Sequence, residues 1–196
     1  RLFLVLFSIN FTWISFAFIQ AIPGFFRSVL PRLAKIPEYS GEIPTRTAIL
    51  LPVYNEQPQG IAAAIIAMRN ELIAREPGKF AFFILSDTNQ ADAWVAEEAV
   101  FRRIIEAADS RRPIYYRRRT DNHERKAGNI ADWVRRWGGA YEAMIVLDAD
   151  SILSADTLVT LTRRMAAAPG VGLIQSLPRI VRAKSLYGRA QQFANQ

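Results

Sequence analysis

Between residues 47 and 174, five short apolar runs alternate with four longer amphipathic stretches, and that alternation admits few folds. The runs cover residues 47–51, 80–85, 114–116, 143–147 and 171–174, and the stretches at 58–75, 92–108, 128–137 and 155–168 have helical length. Runs that are apolar on both sides of the chain suit parallel strands buried on both faces and joined by helical crossovers. The pattern therefore predicts a single α/β domain over residues 47–196, a doubly wound, mostly parallel sheet with helices on both faces.

The fourth run, Ala143-Met144-Ile145-Val146-Leu147, ends on Asp148-Ala149-Asp150. Open α/β sheets bind ligands just beyond the carboxyl ends of their strands. If the extended conformation persists through the pair, residues i and i+2 face the same way and both carboxylates reach one ion. Two anions that close resist joint ionisation unless a cation holds them. Hard oxygen ligands favour Mg2+ or Mn2+, and such an ion favours a phosphorylated substrate. The alternative for an Asp-x-Asp is simply a strand end entering a turn.

Two further strand ends carry acids: Glu56 in Pro52-Val53-Tyr54-Asn55-Glu56, and Asp87 in Ser86-Asp87-Thr88-Asn89. In a parallel sheet these ends share one rim, so Glu56, Asp87, Asp148 and Asp150 are expected to converge on one crevice. Taken singly, Glu56 and Asp87 suit helix capping equally well. Lys126, Gly128 and Asn129 stand where a helix begins, offering backbone N–H groups and a point charge to phosphate oxygens, or else a solvated lysine. The sequence has no Gly-x-Gly-x-x-Gly and no Walker loop, so neither a dinucleotide cofactor nor ATP hydrolysis has an anchor.

Residues 2–26 carry no charge and are dominated by Phe, Leu, Ile and Trp, enough for one transmembrane helix ending near Pro23-Gly24. A signal peptide fits less well, because the apolar stretch exceeds an h-region and no small-residue cleavage pattern follows. Residues 27–46, with Pro31, Pro37 and Pro44, read as a linker or interfacial elbow. Arg27, Arg32 and Lys35 precede any acid, which orients the downstream domain toward the cytoplasm. A chain that opens on Arg1 is expected to be a fragment.

With no cysteine and one histidine, His123, the chain has no disulfide and an improbable zinc site. The net charge of +7 suits anionic membrane lipid or a phosphorylated ligand, and no nucleic-acid signature accompanies it. Beyond Asp156 there is no Asp, Glu or His, while Arg163, Arg164, Arg179, Arg182, Lys184 and Arg189 accumulate. That segment is read as lying near the membrane, or as pairing with acids elsewhere.

The ordered set Pro-Val-Tyr-Asn-Glu (52–56), Ser-Asp-Thr-Asn (86–89), Lys-Ala-Gly-Asn (126–129) and Asp-Ala-Asp-Ser (148–151) resembles the family 2 inverting glycosyltransferases of the GT-A fold. The resemblance implies that Glu56 and Asp87 line a uridine pocket and that Lys126, Gly128 and Asn129 border the nucleotide. It also implies that Asp148 meets the nucleotide sugar and Asp150 the metal on the diphosphate. The implied donor is UDP-glucose and the implied acceptor a growing β-glucan at the bacterial inner membrane, in a multi-pass protein with accessory partners of periplasmic glucan synthesis. Other polysaccharide synthases, polyprenyl-phosphate sugar transferases and a non-catalytic nucleotide-sugar sensor share the pattern. The family places its base in a Thr-Glu-Asp motif beyond the metal pair, and that motif does not occur here. The catalytic base is therefore expected beyond Gln196, and residues 1–196 are expected to bind the donor without turning it over well.

Overall fold

A computed structural model describes residues 2–29, 37–108, 114–176 and 185. The chain divides into two compact units, Arg1–Pro37 and Glu38–Gln196. In the first, α1 runs over Leu2–Val29 with Pro23 inside it. Its Leu2–Gln20 portion is long and apolar enough to cross a membrane, and none of that portion is buried within the protein. The helix does not stop at Pro23 as the sequence suggests. A proline removes one backbone hydrogen bond, and an apolar helix tolerates that loss within a longer hydrogen-bonded ladder.

The second unit contains β1 (Thr47–Val53), α2 (Pro58–Arg75), β2 (Phe80–Ser86), α3 (Ala91–Glu106), β3 (Ile114–Arg118), α4 (Arg125–Trp137), β4 (Ala143–Val146) and α5 (Ala155–Ala167). The strands form one sheet in the order β3-β2-β1-β4, and every pairing is parallel. The chain thus steps from β1 through β2 to β3, then returns to place β4 on the other side of β1. Right-handed crossovers put helices on one face during the outward steps and on the opposite face for the return. Accordingly Ile61, Ile65, Met68 and Leu72 of α2, Phe101 of α3 and Leu158 of α5 pack with Ile49, Leu51, Val53, Phe82 and Ile84. Trp133 of α4 packs on the other side with Ala48, Leu50, Ala81, Phe83 and Leu85. Strand alternation divides β1 and β2 between these two cores.

The helices begin where local chemistry allows. Pro58 opens α2, where a missing N–H costs nothing. Ser154 caps α5 by accepting the Thr157 N–H at 3.2 Å.

Three expectations change. First, the fourth apolar run is parallel but not buried throughout: Met144 is 46% exposed and Val146 38%. Strand β4 is one of the two sheet edges among the described residues and pairs with β1 over four positions only, so its α4-side face is left uncovered. Second, residues 171–174 form no strand: the Val171 N–H bonds to the Ala168 carbonyl in a turn, and Leu173 is 78% exposed. Gly170 and Gly172 around Val171 favour that turn over a ladder. Third, residues 38–46 are packed on the domain rather than strung out as a linker. Ile43 is fully buried, the Tyr39 N–H reaches the Arg163 carbonyl at 3.2 Å, and Glu42 pairs with Lys79 at 2.9 Å.

The basic C-terminal segment is also partly accounted for. Arg163 pairs with Glu76 at 2.8 Å and Arg164 with Glu38 at 2.9 Å, so these two cations serve the domain rather than lipid. Arg179, Arg182, Lys184 and Arg189 lie outside the described residues, as do Arg32 and Lys35.

Trp133 is the keystone of the α4 core, 1% exposed, with ring centroids 5.0 Å from Phe83 and 5.7 Å from Tyr141. Its Nε1–H finds no acceptor among the described residues. Trp133→Ala is expected to cost about 3–5 kcal/mol of folding stability in urea denaturation. Trp133→Phe should recover most of that loss, since no hydrogen bond is given up.

Candidate functional site at the reversal of strand order

The reversal between β1 and β4 opens a crevice beyond their carboxyl ends, the position at which open α/β sheets bind ligands. A cavity of about 810 Å3 lies there. Its lining includes Tyr54 and Glu56 after β1, Asp87 after β2, Asn122, Arg125 and Lys126 at the start of α4, and Asp148 and Asp150 after β4. Four acids from three separate strand ends thus meet two cations in one space large enough for a nucleotide sugar.

Each wall has a physical reason for its shape. After β1 the chain turns through Asn55, whose φ of 57° lies in the left-handed region that Asn tolerates. The Asn55 side-chain Oδ1 accepts the Asn89 and Gln90 N–H groups at 3.2 and 3.3 Å, tying the first rim loop to the start of α3. The Asn55 N–H donates to Thr88 Oγ1 at 3.0 Å, and Thr88 Oγ1 donates to Glu97 Oε2 at 2.6 Å. Glu97 is 2% exposed and also accepts the Tyr116 hydroxyl at 3.1 Å. This buried carboxylate anchors two rim loops to α3 and β3.

Glu56 accepts the Tyr54 N–H. Burial pushes its carboxyl above the ordinary glutamate range; the Tyr54 N–H opposes that shift, and the charges of Glu97 and Asp150 add to it. Asp87 is 4% exposed and is gripped by Arg119, whose Nε and NH2 both donate to it, the latter at 2.9 Å. Lys126 pairs with Asp148, and both remain well exposed to the cavity. Beyond β4 the chain does not stay extended. The Ser151 N–H bonds to the Asp148 carbonyl at 2.9 Å and closes a turn through Ala149 and Asp150. The two carboxylates share a cavity through this turn, not through strand alternation.

Gly128 and Asn129 do not line the cavity; they build the wall that carries Lys126. A Cβ on Gly128 would stand 2.2 Å from the His123 carbonyl oxygen, so only glycine lets the preceding turn approach the helix. Asn129 is 1% exposed, donates to the Leu85 carbonyl at 2.9 Å and receives Arg117 NH2 at 2.6 Å, fastening α4 to the end of β2. Sequence reasoning missed Arg119, Arg125, Asn122 and Glu97. The run Arg117-Arg118-Arg119 was the available signal, because it closes an apolar run, so its last member falls at the carboxyl rim where the acids lie.

The fold and the rim define a GT-A-type glycosyltransferase domain. The chain belongs to glycosyl transferase family 2, which matches residues 48–196. It is 45% identical over 192 residues to the glucans biosynthesis glucosyltransferase H of Vibrio cholerae serotype O1, covering 97% of this chain and 26% of that protein. The protein of the same name from Bradyrhizobium diazoefficiens is 44% identical over 200 residues, covering 100% and 27%. That from Xanthomonas oryzae pv. oryzae is 42% identical over 201 residues, covering 98% and 31%. The chain therefore spans between a quarter and a third of the length of these relatives. Among solved structures, a mannosyltransferase of Pyrobaculum calidifontis in complex with GDP-Man and Mn2+ superposes with a TM-score of 0.61 at 17% identity, covering 81% of this chain and 43% of that one.

The shift of Glu56 has a sign that can be checked. A carboxyl whose folded pKa is raised stabilises the fold below its unfolded pKa and loses that contribution as pH rises through the folded value. At neutral pH the charged form is therefore a burden on the fold. Glu56→Gln is expected to raise the melting temperature at pH 7, and the gain should vanish as pH falls to about 4.

Proposed function

We propose that this domain is the nucleotide-sugar-binding part of a membrane-bound glucosyltransferase that transfers glucose from UDP-glucose to a growing β-glucan. The supporting observation is the convergence of Glu56, Asp87, Lys126, Asp148 and Asp150 on one cavity at the reversal of strand order. The names of the relatives favour glucose and glucan over the other products of the family.

The roles follow from the chemistry of each wall. Asp87 and Glu56 accept hydrogen bonds from the base or ribose. Arg125, Lys126 and the start of α4 meet the diphosphate with positive charge, while Gly128 and Asn129 fix that helix start. Asp148 faces the sugar end, and Asp148 and Asp150 are the ligands for a divalent ion, Mg2+ or Mn2+. Their fit rests on the donor set. Both offer hard oxygens to the cavity, and no third acid or histidine joins them as a protein cage among the described residues. That suits an ion completed by water and phosphate oxygens. When bound, it stabilises the charge of the departing UDP. Lys126 neutralises Asp148 in its absence.

Helix α1 holds the domain at the bacterial inner membrane, with the donor site on the cytoplasmic side where UDP-glucose is made. The basic residues Arg27, Arg32 and Lys35 after the apolar stretch support that orientation. The glucan acceptor, and accessory partners of periplasmic glucan synthesis, complete the scheme.

Calorimetric titration of the chain with UDP should show binding that tightens at least about tenfold when Mn2+ is added, with Asp150→Ala abolishing the metal-dependent gain. GDP should bind more weakly than UDP. Equal UDP affinity with and without Mn2+ contradicts the metal assignment, and no UDP binding at all contradicts the function. In cells, Asp150→Ala in the whole protein should remove the glucan while protein abundance stays normal; unchanged glucan would contradict the proposal.

A further inference from the structure

Strand β3 ends in Arg117 and Arg118, Arg119 follows it, and the three arginines go to three different places. Arg117 turns toward α4, donating to the Asn129 carbonyl at 3.2 Å and pairing with Asp132 at 3.1 Å. Arg118 lies over the Trp94 ring of α3, 4.5 Å from its centroid. Arg119 instead enters the base of the cavity wall. It is 15% exposed, holds both oxygens of the buried Asp87, and through NH2 also donates to the Arg125 carbonyl at 2.8 Å. Its own N–H continues the ladder to the Ser86 carbonyl at 3.1 Å, so the β2 edge fixes its backbone.

The turn that receives this bond is under strain. Glu124 and Arg125 have φ values of 55° and 49°, a left-handed pair that neither residue type prefers. Such conformations persist only where neighbouring contacts over-determine them. Among the described residues, the hydrogen bonds that hold its backbone include the Arg125 N–H to the Asn122 carbonyl at 3.2 Å, the Gly128 N–H to the Glu124 carbonyl at 3.1 Å, and that from Arg119. Of these, Arg119 alone reaches the turn from outside α4 and its entry. The same guanidinium therefore ends at the acid on one wall of the cavity and at the backbone that carries Arg125 and Lys126 on another.

We propose, resting on the reading of the cavity as a nucleotide-diphosphate site, that Arg119 is a positioning residue that couples the nucleoside half of the site to its diphosphate half. It orients Asp87 while neutralising a carboxylate that would otherwise repel the diphosphate. It also braces the left-handed turn so that Arg125 and Lys126 face the phosphates before ligand arrives. The fork is essential, because three donors must be directed at two acceptor groups at once, and an ammonium is a single point charge.

The test uses Arg119→Gln and Arg119→Lys in the full chain, with UDP as probe. Both variants should bind UDP about tenfold more weakly or worse, the lysine failing to rescue although it keeps the charge. Asp87→Asn should lose a similar factor, and the Arg119→Gln/Asp87→Asn double variant should be at most about twofold worse than either alone, because the two act as one unit. Hydrogen exchange without ligand should show faster exchange over residues 122–128 in both Arg119 variants. Full rescue by lysine, multiplicative losses in the double variant, or unchanged exchange in that turn would each overturn the inference. If Arg119→Gln does not fold, Arg119→Lys decides by the same two readings. A parent chain that binds no UDP refutes the proposed function, and the exchange measurement still decides whether Arg119 braces the turn.

Discussion

Strand β1 is hydrogen-bonded on both sides, to β2 over seven positions and to β4 over four, and both ladders are parallel. Parallel pairing aligns the carboxyl ends, and it does so through backbone bonds that are indifferent to the side chains beyond them. The rim loops after β1, β2 and β4 therefore start from one edge whatever their sequence. Because the chain steps outward to β3 and then returns to β4, the loops after β1 and β4 diverge and leave a crevice. The acids sit where that crevice opens.

Burial of the apolar runs drives this arrangement, and the polar network above them converts it into a site. Removing Ile49, Leu51, Ile84 and their helical partners from water supplies the stabilisation, at roughly 25 cal/mol for each Å2 of apolar surface. Charges at the rim would oppose burial if left alone. Most of those that are buried have partners: Asp87 has Arg119, and Glu97 has Thr88 and Tyr116. Glu56 is the member left with a raised pKa, by burial first and then by the charges of Glu97 and Asp150. Net negative charge concentrated at Glu56 and Asp150 is what a divalent ion would relieve.

Much of this was legible in the sequence because strand ends and acids coincide in it. Pro52-Val53-Tyr54-Asn55-Glu56, Ser86-Asp87 and Asp148-Ala149-Asp150 each follow an apolar run, and a parallel sheet brings such ends together without further information. Helix α2 was readable to the residue, since Pro58 marks its start. Glu97 was hidden because an acid in an amphipathic helix looks like solvated surface until its neighbours are known. Arg119 was hidden in a basic run that reads as a charged stretch, although its place just past β3 put it at the rim. The edge position of β4 could not be seen, because exposure of Met144 depends on what lies beside the strand and not on the run itself. The continuation of α1 past Pro23 was decided by hydrogen bonding that composition does not encode, whereas the turn at residues 171–174 had a signal in Gly170 and Gly172.

Anomalous diffraction at the manganese edge, from crystals of this chain grown with UDP and Mn2+, tests the central claim most directly. The account predicts one Mn2+ peak between the Asp148 and Asp150 carboxylates, with the nucleotide density running from Asp87 to the start of α4. A metal peak bound away from those two aspartates, or nucleotide density outside the crevice between β1 and β4, would contradict it.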